Sequence, residues 1–275
     1  MTDPRAALDA IGTLPDSEID IADAALHLAR IDAPEADWQA ARAHLSGLAR
    51  EIVAIAHDIP DQDLAARAAA LSTLLAAQNG YAGDAETYDD LANANLIRVI
   101  ERRKGLPVAL GILWLHAARA AGWGAHGVDF PGHFLVALEG RGTQGMVDVF
   151  NVGIPLDAPA LRALLKRVEG ATAELRPGLL RPMATRHVLL RLQHNIVARR
   201  LRAGDLAGAL ACTEDMLRVA PDAADSWRQA AFMNQRLDRI TEALRCFQRF
   251  LALVPEGDAA IRVQDVIQEL RSRRG

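Results

Sequence analysis

Five residue pairs in the C-terminal third recur at one spacing. Ala209 returns as Ala243, Leu210 as Leu244, Cys212 as Cys246, Leu217 as Leu251 and Pro221 as Pro255, each 34 residues on. That period belongs to a helix–turn–helix unit whose apolar face cannot be buried alone, so neighbouring units must stack. Small residues such as Ala209 and Ala243 suit the points where helices approach most closely. The segments GDLAGAL and LDRITEAL each supply a turn and the start of a second helix, and a proline ends each unit. Residues 183–202 provide a preceding helix and 259–273 a capping one. The C-terminal part of the chain is therefore expected to be all-α and built by repetition.

The N-terminal part is helical for a different reason. Ile19, Ala22, Leu26 and Ala29, and then Leu45, Leu48, Ile52 and Ile55, recur at three- and four-residue steps, which places them on single helix faces. Ser17 is positioned to cap the first of these helices. Asp61, just after Pro60, is positioned to open a third over 61–78, which Asn79-Gly80 closes. A helix over 89–103 is expected to end at Gly105. Pro107 suits the first turn of the next helix, which runs to Ala121. Beyond Gly124 the pattern changes. HFLVAL and MVDVF are short β-rich runs joined by EGRGTQG, and they read as a hairpin. Helices precede the sheet instead of alternating with it, so the class is α+β. The expected domains are 1–175 and 176–275.

Composition excludes several functions. Cys212 and Cys246 are the only cysteines among 275 residues, too few for a disulfide scaffold or a Cys-rich zinc module. No 18-residue apolar run occurs, and the N-terminus lacks the basic and apolar regions of a secretory signal, so a cytoplasmic protein with no membrane contact is expected. GRGTQG at 140–145 matches a dinucleotide-binding spacing, but it lies between two strands where that site requires a strand and then a helix. The eight histidines form no metal-binding spacing, and neither metal nor cofactor is expected. Residues 1–175 carry 14 basic and 24 acidic side chains, and residues 176–275 carry 17 and 11. This asymmetry suggests two units with opposite fields. The C-terminal arginines are spread at helical spacings without interleaved aromatics, which argues against a nucleic-acid surface.

Residues 93–153 carry the chemistry. His133 opens one strand and Asp148 lies on the next, so a suitable hairpin register lets the carboxylate orient the imidazole. The helix beginning at Pro107 would have to present a nucleophile near its N-terminus, where the helix dipole favours a thiolate.

This stretch resembles a transglutaminase-like, papain-like α+β core, in which a nucleophile helix packs on a sheet supplying His and then Asp. More narrowly, N-x-x-L-x-x-V-I-x-R-R-x-G-L-P, then G-V-D-F-P-G-H-F-L-V and V-D-V-F-N-x-G, resembles the bacterial SirB family. The resemblance implies a helical N-terminal region, a transglutaminase-like domain and C-terminal tetratricopeptide-like repeats, with a role in regulating gene expression. It assigns His133 and Asp148 to the catalytic histidine and aspartate. It also exposes a departure. Where an active enzyme carries cysteine this chain has Pro107-Val108, and Ala109 offers no hydroxyl.

Two functions follow as expectations. The first is a non-catalytic transglutaminase-like scaffold whose basic repeat groove binds a protein partner, with an acidic segment as the first candidate, including the chain's own acidic half. The second is a hydrolase or acyltransferase using His133 as general base on water and Asp148 to orient it. Asn93, Arg102 and Arg103 brace the loop before Pro107 or line a residual cleft.

Overall fold

The computed structural model describes residues 3–60 and 62–272. Two compact units emerge: Leu14–Leu192, and the residues up to Thr13 together with those from Gln193 onward. The division falls at 192/193, not 175/176, because residues 182–192 are tied into the first unit. Thr185 and Arg186 donate backbone N–H groups to the carboxylate of Asp16, at 2.7 and 2.9 Å. Helix α1 (Pro4–Thr13) belongs to the second unit.

In the first unit, helix α2 (Ile21–Asp32) is capped by Asp20, whose side chain accepts from the N–H groups of Ala22 and Asp23. Ser17, the expected cap, stands instead within the 3-10 turn Asp16–Glu18. Helix α3 (Trp38–Ala56) is capped by Asp37, and α4 (Leu64–Ser72) by Asp63. Asp61, the expected start of α4, lies outside the described residues. A π-helical turn, Thr73–Gln78, prolongs α4. Of the Asn79-Gly80 pair only Gly80 is left-handed, at φ 73°.

The next segment corrects the expected helix over 89–103. It is a 3-10 turn, Leu91–Ala94, followed by α5 (Leu96–Arg102), which Asn95 caps by accepting from two backbone N–H groups. Arg103, left-handed at φ 60°, ends α5. Gly105 is not a helix terminator, because strands β1 (Ala82–Gly83) and β2 (Lys104–Gly105) pair in parallel there. Helix α6 (Pro107–Ala120) then follows as expected.

Strands β3 (Ala125–Phe130), β4 (His133–Glu139), β5 (Gln144–Asp148), β6 (Ile154–Leu156) and β7 (Pro182–Met183) form an antiparallel sheet in the order β6-β5-β4-β3-β7. Helix α7 (Ala158–Glu169) precedes β7. The GRGTQG segment makes the turn between β4 and β5, with the Gly140 N–H on the Thr143 carbonyl at 2.9 Å.

Alternation divides the two faces of the sheet. Val128, Phe130, Leu135, Ala137 and Met146 cluster with Leu161, Leu164 and Leu165 of α7. Phe134 belongs to the opposite face, against α6, where a Cβ on Gly111 would overlap its ring. Helix α6 is buried along nearly its whole length, which suits its continuous apolar sequence.

The second unit opens with the C-terminal part of α8 (Thr185–Arg202). Helices α9 (Leu206–Val219), α10 (Ala224–Arg236), α11 (Ile240–Leu253) and α12 (Asp258–Ser272) follow. The bounds of α9 and α11 differ by 34 residues at both ends, as the repeat requires. Cys212 and Cys246 are both buried. Helix α1 packs on α9, and its Leu8 is fully buried. Arg5 Nε and Nη2 hold the two carboxylate oxygens of Asp215 at 2.8 and 3.1 Å, and Arg218 Nη1 holds Asp9 at 2.8 Å.

This assignment of α1 changes the charge balance. The second unit contains 14 basic and 13 acidic residues, and Leu14–Leu192 contains 17 and 22. Among the described residues, no helix is long and apolar enough to cross a membrane.

Candidate active site and repeat surface

His133 is the first residue of β4 and Asp148 the last of β5. Val136 pairs with Val147, so Asp148 lies diagonally across from His133. His133 Nε2 stands 2.8 Å from Asp148 Oδ1. Asp148 also accepts from the N–H groups of Phe150 and Asn151, at 3.1 and 3.3 Å, and from Asn151 Nδ2 at 2.7 Å.

Burial alone would raise the Asp148 pKa. Hydrogen bonds from His133 and Asn151 outweigh it and hold the group below the usual carboxylate range. An ionised Asp148 accepts a hydrogen bond from Nε2–H, which leaves Nδ1 as the acceptor nitrogen of the ring. The side chains of His133 and Asp148 are only 12% and 7% exposed. Phe150 meets the imidazole edge-on at 6.2 Å, and Tyr88 meets Phe150 in turn at 6.0 Å.

Helix α6 packs on the sheet at Phe134, and its first turn carries Pro107, Val108 and Ala109, all buried. None of the three has a side-chain heteroatom. Both cysteines lie in α9 and α11 of the other unit. The assembled chemistry is therefore an oriented imidazole in a unit whose sequence contains no cysteine.

Asn93, Arg102 and Arg103 are engaged by the fold around them. Asn93 is fully buried; its Nδ2 donates to the Thr87 carbonyl at 2.6 Å and its Oδ1 accepts from Arg102 Nη1 at 3.1 Å. Arg102 Nη2 also reaches Asp84 Oδ2 at 3.0 Å. Hydrogen bonds from the Thr87 hydroxyl and N–H bring the buried Asp84 down to a pKa of about 2. Arg103 Nη1 lies 2.5 Å from both His44 Nε2 and the Tyr81 hydroxyl. Burial pushes Tyr81 up to about 12 against the opposing pull of Arg103, and burial lowers His44.

Asn151, Thr87 and Asp84 escaped the sequence reading. Asn151 was within reach of it, since a side-chain amide three residues after a strand-end aspartate is placed to close on that carboxylate. Asp84 and Thr87 left no such sign, because their partner Arg102 is supplied by a separate helix.

The repeat unit presents a different surface. An open pocket of about 480 Å³ is lined by Leu201, Asp225, Arg228, Gln229, Phe232, Met233 and Arg236, all but the first from α10. Phe232 is 42% exposed and is held edge-on against buried Phe247 at 5.0 Å.

Comparison with known proteins agrees with this architecture. The family model of the transglutaminase-like superfamily matches residues 39–194, and a tetratricopeptide repeat model matches 196–268. A UPF0162 protein of Vibrio cholerae is 30% identical over 244 residues, covering 88% of this chain and 89% of its own. One from Xylella fastidiosa strain Temecula1 is 30% identical over 209 residues, covering 75% and 74%. Another, from Pseudomonas aeruginosa, is 26% identical over 269 residues, covering 98% and 96%. With a sheet carrying His and then Asp beside a buried helix, and stacked 34-residue repeats after it, the chain belongs to the transglutaminase-like superfamily and to the UPF0162 proteins.

Proposed function

We propose that this protein is a non-catalytic transglutaminase-like scaffold whose repeats bind a protein partner in the bacterial cytoplasm. The regulatory role implied by the SirB resemblance is part of the same reading. One observation carries it: the start of α6, where covalent acyl transfer needs a thiol, holds buried Pro107, Val108 and Ala109. In this reading His133 and Asp148 persist as a vestigial pair that ties β4 to β5. Asn93, Arg102 and Arg103 brace the segment leading into α6. The exposed surface of α10 then carries the interaction, with an acidic segment as the preferred partner.

The oriented imidazole favours a second reading, in which His133 Nδ1 takes a proton from a bound water and the protein is a hydrolase. Two measurements on the full chain separate them. Ammonia release from glutamine peptides and labelled-amine incorporation into a glutamine-rich protein should both stay at the buffer level. Turnover that disappears in His133→Ala establishes the hydrolase instead. In the second measurement, a partner captured by the full chain should cross-link within residues 193–272. Cross-links confined to 14–192 count against the repeats as the binding module.

A further inference from the structure

The Arg103 guanidinium is bound by neutral groups. Its Nη1 lies 2.5 Å from both His44 Nε2 of α3 and the Tyr81 hydroxyl, and its central carbon stands 4.8 Å from the centre of the Tyr81 ring. Among the described residues no carboxylate pairs with it. A guanidinium only donates, so His44 offers Nε2 as a lone pair and carries its proton on Nδ1. The contact therefore exists for the neutral imidazole alone.

A proton on Nε2 removes that acceptor and sets a second cation against the guanidinium. Nothing acidic stands by to compensate. Helices α2, α4, α5 and α6 and the π-helical turn Thr73–Gln78 pack on α3. Arg103 comes from the end of α5, and buried Tyr81 from just beyond the turn, its ring 6.0 Å from the imidazole. Asp23 of α2 is engaged by His27 and Arg42. Arg67 of α4 donates to the Glu139 carbonyl, and His116 of α6 meets the Leu45 carbonyl at 3.0 Å. Burial, and then the Arg103 charge, hold the His44 ring below the ordinary imidazole range.

Arg103 also anchors the chain around it. Its carbonyl accepts from the Ala82 N–H at 3.0 Å, and the Gly105 carbonyl accepts from the Asp84 N–H at 3.2 Å, the rungs of the β1–β2 pair. The Leu106 N–H, just before α6, reaches the Asn93 carbonyl at 2.9 Å. We infer that His44, Arg103 and Tyr81 form a proton-operated latch on the β1–β2 pair, closed while His44 is neutral and opened when its ring is protonated. Opening releases the Arg103 side chain and loosens both strands. The left-handed backbone of Arg103, at φ 60°, is sparsely populated by residues with a side chain, so the closed latch holds strain that opening relieves. The folded state takes up this proton less readily than the unfolded chain. The latch's stabilisation is therefore full above about pH 6.5 and is lost as pH falls below it.

The test is NMR on the full-length protein, with isotope in the backbone amides and at histidine Cε1, from about pH 7.5 to about 5, across the imidazole range. The His44 ring should titrate at lower pH than the same residue in the urea-unfolded chain. Hydrogen-exchange protection of the Ala82 and Asp84 amides, corrected for intrinsic exchange, should fall by up to tenfold per pH unit below about 6.5, the slope of one proton. Amides of α9 should keep their protection over the same range. His44→Gln keeps an acceptor oxygen that does not take a proton at these pH values, and should flatten the response at Ala82 and Asp84. His116 and His133 remain in that variant, so a fall that persists belongs to them and overturns the inference. The wild type decides the matter even where the variant does not fold. A His44 ring that titrates with the unfolded chain or above it, or strand amides whose protection ignores pH, overturns the latch.

Discussion

The two units treat their polar side chains in opposite ways. In Leu14–Leu192 the groups that look chemically active are consumed by the fold: Asp148 by His133 and Asn151, Asp84 by Thr87 and Arg102, Arg103 by His44 and Tyr81. In the repeat unit α10 leaves Phe232 and Arg236 in the open, while the ion pairs of Arg5 and Arg218 are spent on holding α1. An α+β core surrounds its polar groups on all sides and has to satisfy them internally. A stack of helix pairs buries one face of each helix and leaves another to solvent or to a partner. The histidine–aspartate pair and the exposed face of α10 thus occupy different parts of one chain.

The strongest way to break this contrast is to attack the helix that sequence order places with the wrong unit. Leu8→Ala should cost about 3 kcal/mol, as other fully buried leucines do when truncated. In hydrogen exchange the loss should be confined to α9–α11, with β3–β5 still protected. Loss spread equally over the sheet shows that α1 stabilises the other unit.

A smaller effect tests whether the network before α6 is structural. Thr87→Val removes the 2.6 Å hydroxyl donor to Asp84 and should cost about 1.5 kcal/mol at pH 7, the usual size for a hydrogen bond to a charged group. The folded pKa of Asp84 is depressed, so its stabilisation is present above the ordinary carboxylate range and is lost as pH falls toward 2. Chemical denaturation of wild type and variant should therefore converge between pH 5 and about 2. A gap that stays constant in acid removes the carboxylate from the explanation.

The smallest effect concerns the turn after Asp148. Val152 has φ 51°, an unfavourable conformation for a β-branched residue, and its carbonyl accepts from the Ser72 hydroxyl at 2.7 Å. Val152→Gly should raise the thermal midpoint modestly, by about 0.5–1 kcal/mol of stability, as strain is relieved and some chain entropy is lost. A drop in the midpoint shows that the valine side chain holds the turn more than it strains it.

Much of this was open to a reader of residues alone. The 34-residue offset announced α9 and α11 because a repeat writes the same contacts twice at a fixed spacing. The hairpin placed His133 and Asp148 on adjoining strands because strand alternation and a short turn leave few registers. Helix caps were less legible. Asp20 and Ser17 are equally good caps by type, and the choice between them depends on where the 3-10 turn Asp16–Glu18 closes.

By itself, then, the sequence determined the α+β class, the repeat period, the hairpin with its His and Asp, and the confinement of both cysteines to the repeats. Each is a matter of residue type at a local spacing. Only the tertiary structure decided that α1 joins helices some 210 residues away, since the Arg5–Asp215 pair leaves no periodic trace. It alone turned Asn93, Arg102 and Arg103 inward. It also reduced the charge contrast of the two halves, because electrostatic fields follow the units that fold together and not the order of the chain.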